Sequence, residues 1–129
     1  MSGRPWQLTI VMLAAAEMLS GCMRSVPPQP LPVVAGGSAN RGRAVIVQYR
    51  CGSCHEIPGS RHANGVFGPP LDLIARQTTL AGNFPNVPQT MVQWIMSPTS
   101  MKPKTAMPDM GLSEQESRDA AAYLYTLHK

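Results

Sequence analysis

The chain has 129 residues, of which 43% are hydrophobic, 14% charged and 5% aromatic; this sets one small domain as the ceiling and leaves few rings for a core. Eleven Lys and Arg against seven Asp and Glu give a formal charge of +4. The basic residues stand singly, apart from Arg41 with Arg43 and Lys102 with Lys104, which argues against the clustered footprint of a nucleic-acid binder.

At the N-terminus Arg4 precedes an apolar run from Leu8 to Leu19, and the run ends in Leu19, Ser20, Gly21 and Cys22. This pattern reads as an export signal over residues 1–21. Its ending, "LSGC", resembles the lipobox of bacterial lipoproteins, which implies cleavage before Cys22 and a lipid on its thiol. An ordinary cleaved signal and an uncleaved anchor are the alternatives. Glu17 interrupts the run, which falls short of the roughly 20 residues a comfortable span needs. The expected location is therefore the extracytoplasmic or periplasmic side of a bacterial envelope, anchored to the membrane through lipid at Cys22. Removing residues 1–21 takes away Arg4 and Glu17 together, so the +4 belongs to the remainder.

Residues 22–40 form the expected tether. From Ser25 to Asn40 the text "SVPPQPLPVVAGGSAN" holds four Pro and two Gly without helical period, a partly polyproline-like, partly flexible composition. At about 3 Å per residue it reaches on the order of 50 Å. The folded domain is expected over residues 41–129. A domain of this size buries a modest core, so a metal, staple or cofactor is expected inside it.

Its first element spans about Gly42 to Arg50, with Gly42, Val45 or Ile46, and Tyr49 on one side. The run Val45, Ile46, Val47 suits a strand equally well on propensity. There follows "CGSCH", in which Cys51 and Cys54 flank Gly52 and Ser53 and lead directly into His55. This spacing matches c-type haem attachment: two thiols so placed reach two vinyl groups on one porphyrin edge, and the next residue is directed toward the iron as proximal ligand. A redox dithiol would call for a strand before it and a sheet around it, and no strand-rich pattern follows. A zinc site would need two further ligands, for which only His62 and His128 remain. All three cysteines are then accounted for without a disulfide.

A short helix is expected over about 71–77, and a second from about Pro88 to Met96, capped by Asn86 and stopped before Pro98. The following loop reads "MKPKTAMPDMGLSEQE" and offers Met101, Met107 and Met110 as a sixth iron ligand; a thioether opposite His raises the reduction potential. Core filling is the plain alternative for any Met, and spacing alone does not choose among the three. Ser113 with Glu116 forms a capping box ahead of Ala120, Tyr123, Leu124 and Leu127 at helical spacing, which predicts a C-terminal helix.

Residues 41–129 resemble the class I c-type cytochromes, on "CGSCH" early, "GPPL" in the middle, "MP" late and "AAYL" near the end. The resemblance implies a small all-α fold wrapped around one covalent haem c with its iron. Carried over by position, it implies that Cys51 and Cys54 hold the haem, that His55 is the proximal and Met107 the distal ligand, and that the Pro69 carbonyl accepts from the His55 ring. Trp94 and Arg76 are implied as propionate donors, against plain core packing for Trp94 and a solvated side chain for Arg76. It also makes the first element a helix, with Gly42 crossing the C-terminal helix near Tyr123. His62 and His128 are read as surface residues.

From Gly68 to Pro108 the chain is similar to the cytochrome c domain of haem-copper oxidase subunit two, in Ala81 and Gly82, Pro85 and Asn86, Trp94 and Ile95, Pro98, Lys102 and Pro103, and Met107 with Pro108. It departs from that subunit in carrying no binuclear copper motif and no pair of membrane spans, and Lys104 stands where Gly is usual. The expected activity is outer-sphere transfer of single electrons between protein redox partners, with no substrate or nucleic acid bound and no enzymatic reaction. Lys102 and Lys104 would steer an acidic partner. Alternatives are a haem-bearing subunit of a dehydrogenase or oxidase complex, and an open-site haem protein that binds gas or acts as a peroxidase.

Overall fold

The computed structural model describes residues 29–129; the signal expected over 1–21, Cys22 and the first part of the tether lie outside them. The described residues hold four α-helices, namely α1 (Ala39–Gln48), α2 (Pro88–Met96), α3 (Pro98–Met101) and α4 (Glu114–Leu124). Two short 3-10 turns, Cys51–Ser53 and Ile74–Arg76, lie between α1 and α2, as does a two-stranded hairpin of β1 (Thr79–Leu80) and β2 (Phe84–Pro85). The hairpin is antiparallel, pairing Leu80 with Phe84. It was not expected from the sequence, and it leaves the all-α character intact. Among the described residues no helix is long and apolar enough to cross a membrane.

The packing of α1 against α4 organises the fold. Ser38 caps α1 by accepting from the Arg41 amide at 3.4 Å, and Gly42, Val45 and Ile46 turn inward. That spacing is helical, so the β-branched run Val45–Val47 is divided between a buried side and an exposed one instead of forming a strand. A Cβ at position 42 would overlap the Asp119 carbonyl and stand 2.9 Å from the Tyr123 Cβ. The crossing near Tyr123 therefore requires glycine. Asp119, 3% exposed, accepts from Arg41 Nε and Nη2, both at 2.7 Å, and from the Ser38 amide at 2.8 Å. Hydrogen bonding to Arg41 holds its carboxyl below the usual carboxylate range, since those bonds favour the ionised form.

The capping box opens α4 as expected: Ser113 Oγ accepts from the Glu116 amide at 3.3 Å, and Glu116 Oε2 accepts from the Ser113 amide at 2.9 Å. Ala120, Ala121, Tyr123 and Leu124 enter the core with Val45, Ile46, Met91, Val92 and Ile95.

The structure revises three boundaries. Folded structure begins before residue 41: Val34 is buried, Arg118 Nη1 donates to the Ala35 carbonyl at 3.2 Å, and Gln115 Nε2 donates to the Gly36 carbonyl at 2.9 Å. The end of the expected tether is thus a strap that meets α4, with Leu31 and Val34 packed into the core while the Ala35 and Gly36 carbonyls find α4 donors. The helix expected over 71–77 shrinks to the turn Ile74–Arg76. Its carbonyls are taken elsewhere, since Asn86 Nδ2 donates to those of Ile74 at 2.7 Å and Gln77 at 2.8 Å. Asn86 does not cap α2, where Val87 is the cap and Pro88 opens the helix; the oxygen a cap would use is engaged elsewhere. Asn86 Oδ1 in turn accepts from Tyr125 Oη at 2.8 Å.

Candidate haem site

The site starts where α1 ends. Arg50 takes a left-handed conformation, φ 52°, which turns the chain out of the helix and into the 3-10 turn Cys51–Ser53. The turn is closed by Ser53 N to Arg50 O at 2.9 Å and His55 N to Cys51 O at 3.1 Å. Cys51 is half-buried and Cys54 exposed, and both are free thiols. Burial pushes the Cys51 thiol up, as expected for a group whose charged form loses hydration.

Residues 63–71 wrap this turn on the other side. Ile57 donates to the Ala63 carbonyl at 2.9 Å, Gly65 to Gly52 at 3.0 Å, Gly68 to Cys54 at 2.7 Å and Leu71 to Glu56 at 2.9 Å. A Cβ at Gly68 would overlap the His55 ring, so the glycine backbone forms one wall of the imidazole site. The next residue supplies the other restraint: His55 Nδ1 lies 2.8 Å from the Pro69 carbonyl oxygen. A carbonyl only accepts, so Nδ1 is the nitrogen that carries a proton, and in the neutral ring the lone pair is on Nε2. An imidazole fixed in this tautomer is prepared to ligate a metal through Nε2.

The other expected site residues lie outside this cradle. Met107 is half-buried in the loop between α3 and α4, and its amide donates to Thr105 Oγ1 at 3.2 Å. Met101 is half-buried at the end of α3, and Met110 is exposed. Trp94, half-buried on α2, packs against Phe84 with ring centroids 6.0 Å apart and planes inclined by 38°. Arg76 is exposed, and its Nη1 donates to the Gln29 carbonyl at 3.1 Å, which occupies part of its guanidinium with the strap. Lys102 is engaged too, donating from Nζ to the Ala81 carbonyl at 2.9 Å; Lys104 is exposed. His62 is exposed, while His128 is half-buried and bonded through Nδ1 to the Thr126 carbonyl at 2.7 Å. The Gly68 wall was not singled out in the sequence, although "GPP" carries it. Among the described residues no three His, Cys, Asp or Glu side chains gather as a metal donor set.

The cytochrome c family model matches residues 39–128, which takes in the whole of α1 through α4. The chain belongs to the cytochrome c family. The chain is 31% identical over 90 residues to the cytochrome c oxidase subunit 2 of Alkalihalophilus pseudofirmus, an alignment that covers 69% of this chain and 25% of that relative. The chain thus spans about a quarter of the length of the curated relative it matches. Cytochromes c carry covalent haem c with its iron and serve electron transfer. The residues of this cytochrome fit that group: Cys51 and Cys54 are free to form thioethers, and the His55 tautomer leaves Nε2 for iron.

Proposed function

We propose that this cytochrome c is a membrane-tethered carrier of single electrons between redox proteins at the extracytoplasmic face of a bacterial membrane, and not an enzyme. The observation that carries the electron-transfer part is the CGSCH turn, with two free thiols leading into a histidine whose Nδ1 is bonded to Pro69. In this reading Cys51 and Cys54 hold the haem, His55 is the proximal ligand and Met107 the distal one. When bound, the haem supplies an iron that alternates between Fe(III) and Fe(II). The protein's own part is to fix the His55 ring, so that little rearranges between the two states, and to fill the sixth position so that no substrate enters.

The tethered part rests on the "LSGC" sequence, with Cys22 as the lipidated residue. A lipid anchor keeps the domain near membrane redox complexes and raises its effective concentration there. Arg76 and Trp94 are the proposed propionate donors, with Arg76 sharing its guanidinium between the haem and the strap.

The deciding experiment is the optical spectrum of the haem-loaded protein, oxidised and reduced, beside Met107→Ala. Thioether coordination gives the oxidised protein a weak far-red charge-transfer band, expected to vanish in the variant. A parent without that band, or one that binds carbon monoxide readily when reduced, would replace the carrier by an open-site haem protein. Cys22→Ser tests the anchor: the protein should move from the membrane to the soluble fraction, and unchanged partitioning would refute lipidation at Cys22. The similarity to an oxidase subunit favours a second reading, a haem-bearing subunit held in a larger complex. Size-exclusion of a mild detergent extract separates the two, because a lone carrier elutes at the size of one small protein.

A further inference from the structure

The loop that bears Met107 runs from Lys102 to Leu112 without regular structure, and segments of this kind open at low free-energy cost unless tied down. Three contacts act at or near its start: Lys102 N donates to the Pro98 carbonyl at 2.8 Å, Lys102 Nζ to the Ala81 carbonyl at 2.9 Å, and Thr105 N to the Lys102 carbonyl at 2.9 Å. The Met107 amide is bonded only within the loop, to Thr105 Oγ1. Downstream, Asp109 reaches back across the loop to α3. Its Oδ1 accepts from the Thr99 amide at 3.1 Å, and its Oδ2 accepts from Thr99 Oγ1. Among the described residues these are the hydrogen bonds that join residues 103–111 to a part of the fold outside the loop.

We propose that Asp109 is a positioning residue, a two-point clamp that closes the Met107 loop onto α3 and keeps the Met107 thioether in place as the distal ligand. The contact suits the task. Thr99 is the second residue of α3, so its amide has no partner within the helix, and the Asp109 carboxylate supplies one. Pro108, between Met107 and Asp109, restricts the backbone, so fixing Asp109 restricts where Met107 can go. The proposal rests on Met107 being the iron ligand, and the experiment separates failure of the clamp from failure of that assignment.

The probe is imidazole added to the oxidised, haem-loaded full-length protein, with the far-red band followed beside it. Imidazole binds only when the thioether has left, so its apparent affinity reports the fraction of open loop. Asp109→Ala is expected to lower the imidazole midpoint about tenfold, the loss of a charge-assisted bond pair at an exposed site, and to weaken the band. Asp109→Asn, which keeps an acceptor for Thr99, should recover most of both. Thr99→Val, which deletes the hydroxyl bond alone, should give a smaller shift that adds nothing when combined with Asp109→Ala; it also carries the test should Asp109→Ala fail to fold. If Met107→Ala loses the band and binds imidazole more tightly, while both clamp variants keep the parent's band and midpoint, the clamp is overturned. If Met107→Ala itself behaves as the parent, the ligand assignment falls and the clamp with it.

Discussion

His55 is restrained from two directions, by the Pro69 carbonyl at one ring nitrogen and by the Gly68 backbone against the ring. A methyl at position 68 has nowhere to go without turning the imidazole. Gly68→Ala is therefore expected to reduce the covalent haem recovered per protein, measured by the Soret absorbance that survives acid-acetone extraction. At Gly42 the obstacle is backbone of α4, which does not yield as a side chain does. Gly42→Ala should cost about 1–3 kcal/mol, the range for overpacking a tight core, read from urea unfolding. Asp119 gives a pH signature. Its folded-state pKa is depressed, first by hydrogen bonding to Arg41, so its contribution is present above the unfolded value near pH 4 and is lost as pH falls through the lower folded value. The urea midpoint should fall across that acid window in the parent and fall less in Asp119→Asn. A parallel slope in both proteins would contradict this assignment.

At the scale of elements, what could be read in advance depended on whether the signal was local. The capping box of Ser113 and Glu116 is written within four residues, and α4 starts where it says. The turn at CGSCH is likewise local. Asn86 shows the opposite case: before Pro88 it has the chemistry of a cap, yet its amide is occupied by Ile74, Gln77 and Tyr125, partners up to 39 residues away. That same occupation limits the expected 71–77 helix to one 3-10 turn. The strap was hidden by its Pro and Gly content, because composition reports flexibility but not the α4 donors that receive its carbonyls. The Asp109 clamp, between residues ten apart, was invisible for the same reason.

Two tests belong at this scale. Val34→Asp should release the strap, making residues 29–38 quick to exchange amide hydrogens, at a cost of about 1–3 kcal/mol for a carboxylate placed where an apolar side chain was buried; unchanged protection would show that the strap is held by its hydrogen bonds alone. Tyr125→Phe leaves Asn86 Oδ1 without its donor and should cost about 1–2 kcal/mol. Burial pushes the Tyr125 phenol up to about 12, so the parent should also lose stability above the unfolded value near pH 10, and the Phe variant should not share that loss.

For the molecule as a whole, a core formed by few aromatic residues implies that the haem supplies much of the interior. Binding to the folded state alone stabilises it. Replacing both Cys51 and Cys54 by Ala should give a protein whose haem is removed by acid-acetone and whose melting temperature falls toward that of the haem-free chain.

On the proposed anchoring, the strap also shortens the leash. If Cys22 is the lipid attachment point, the chain between it and Gln29 comprises residues 23–28, with a contour length of about 20 Å, against the roughly 50 Å of a tether running to residue 40. The volume within reach of such an anchor is bounded by the cube of that length, so the bound contracts by roughly an order of magnitude. On the proposed anchoring, such a carrier would sample redox centres within grazing distance of the lipid headgroups and miss those on tall ectodomains. Arg76, which holds the strap at Gln29, marks the corner of the domain from which that short chain leaves.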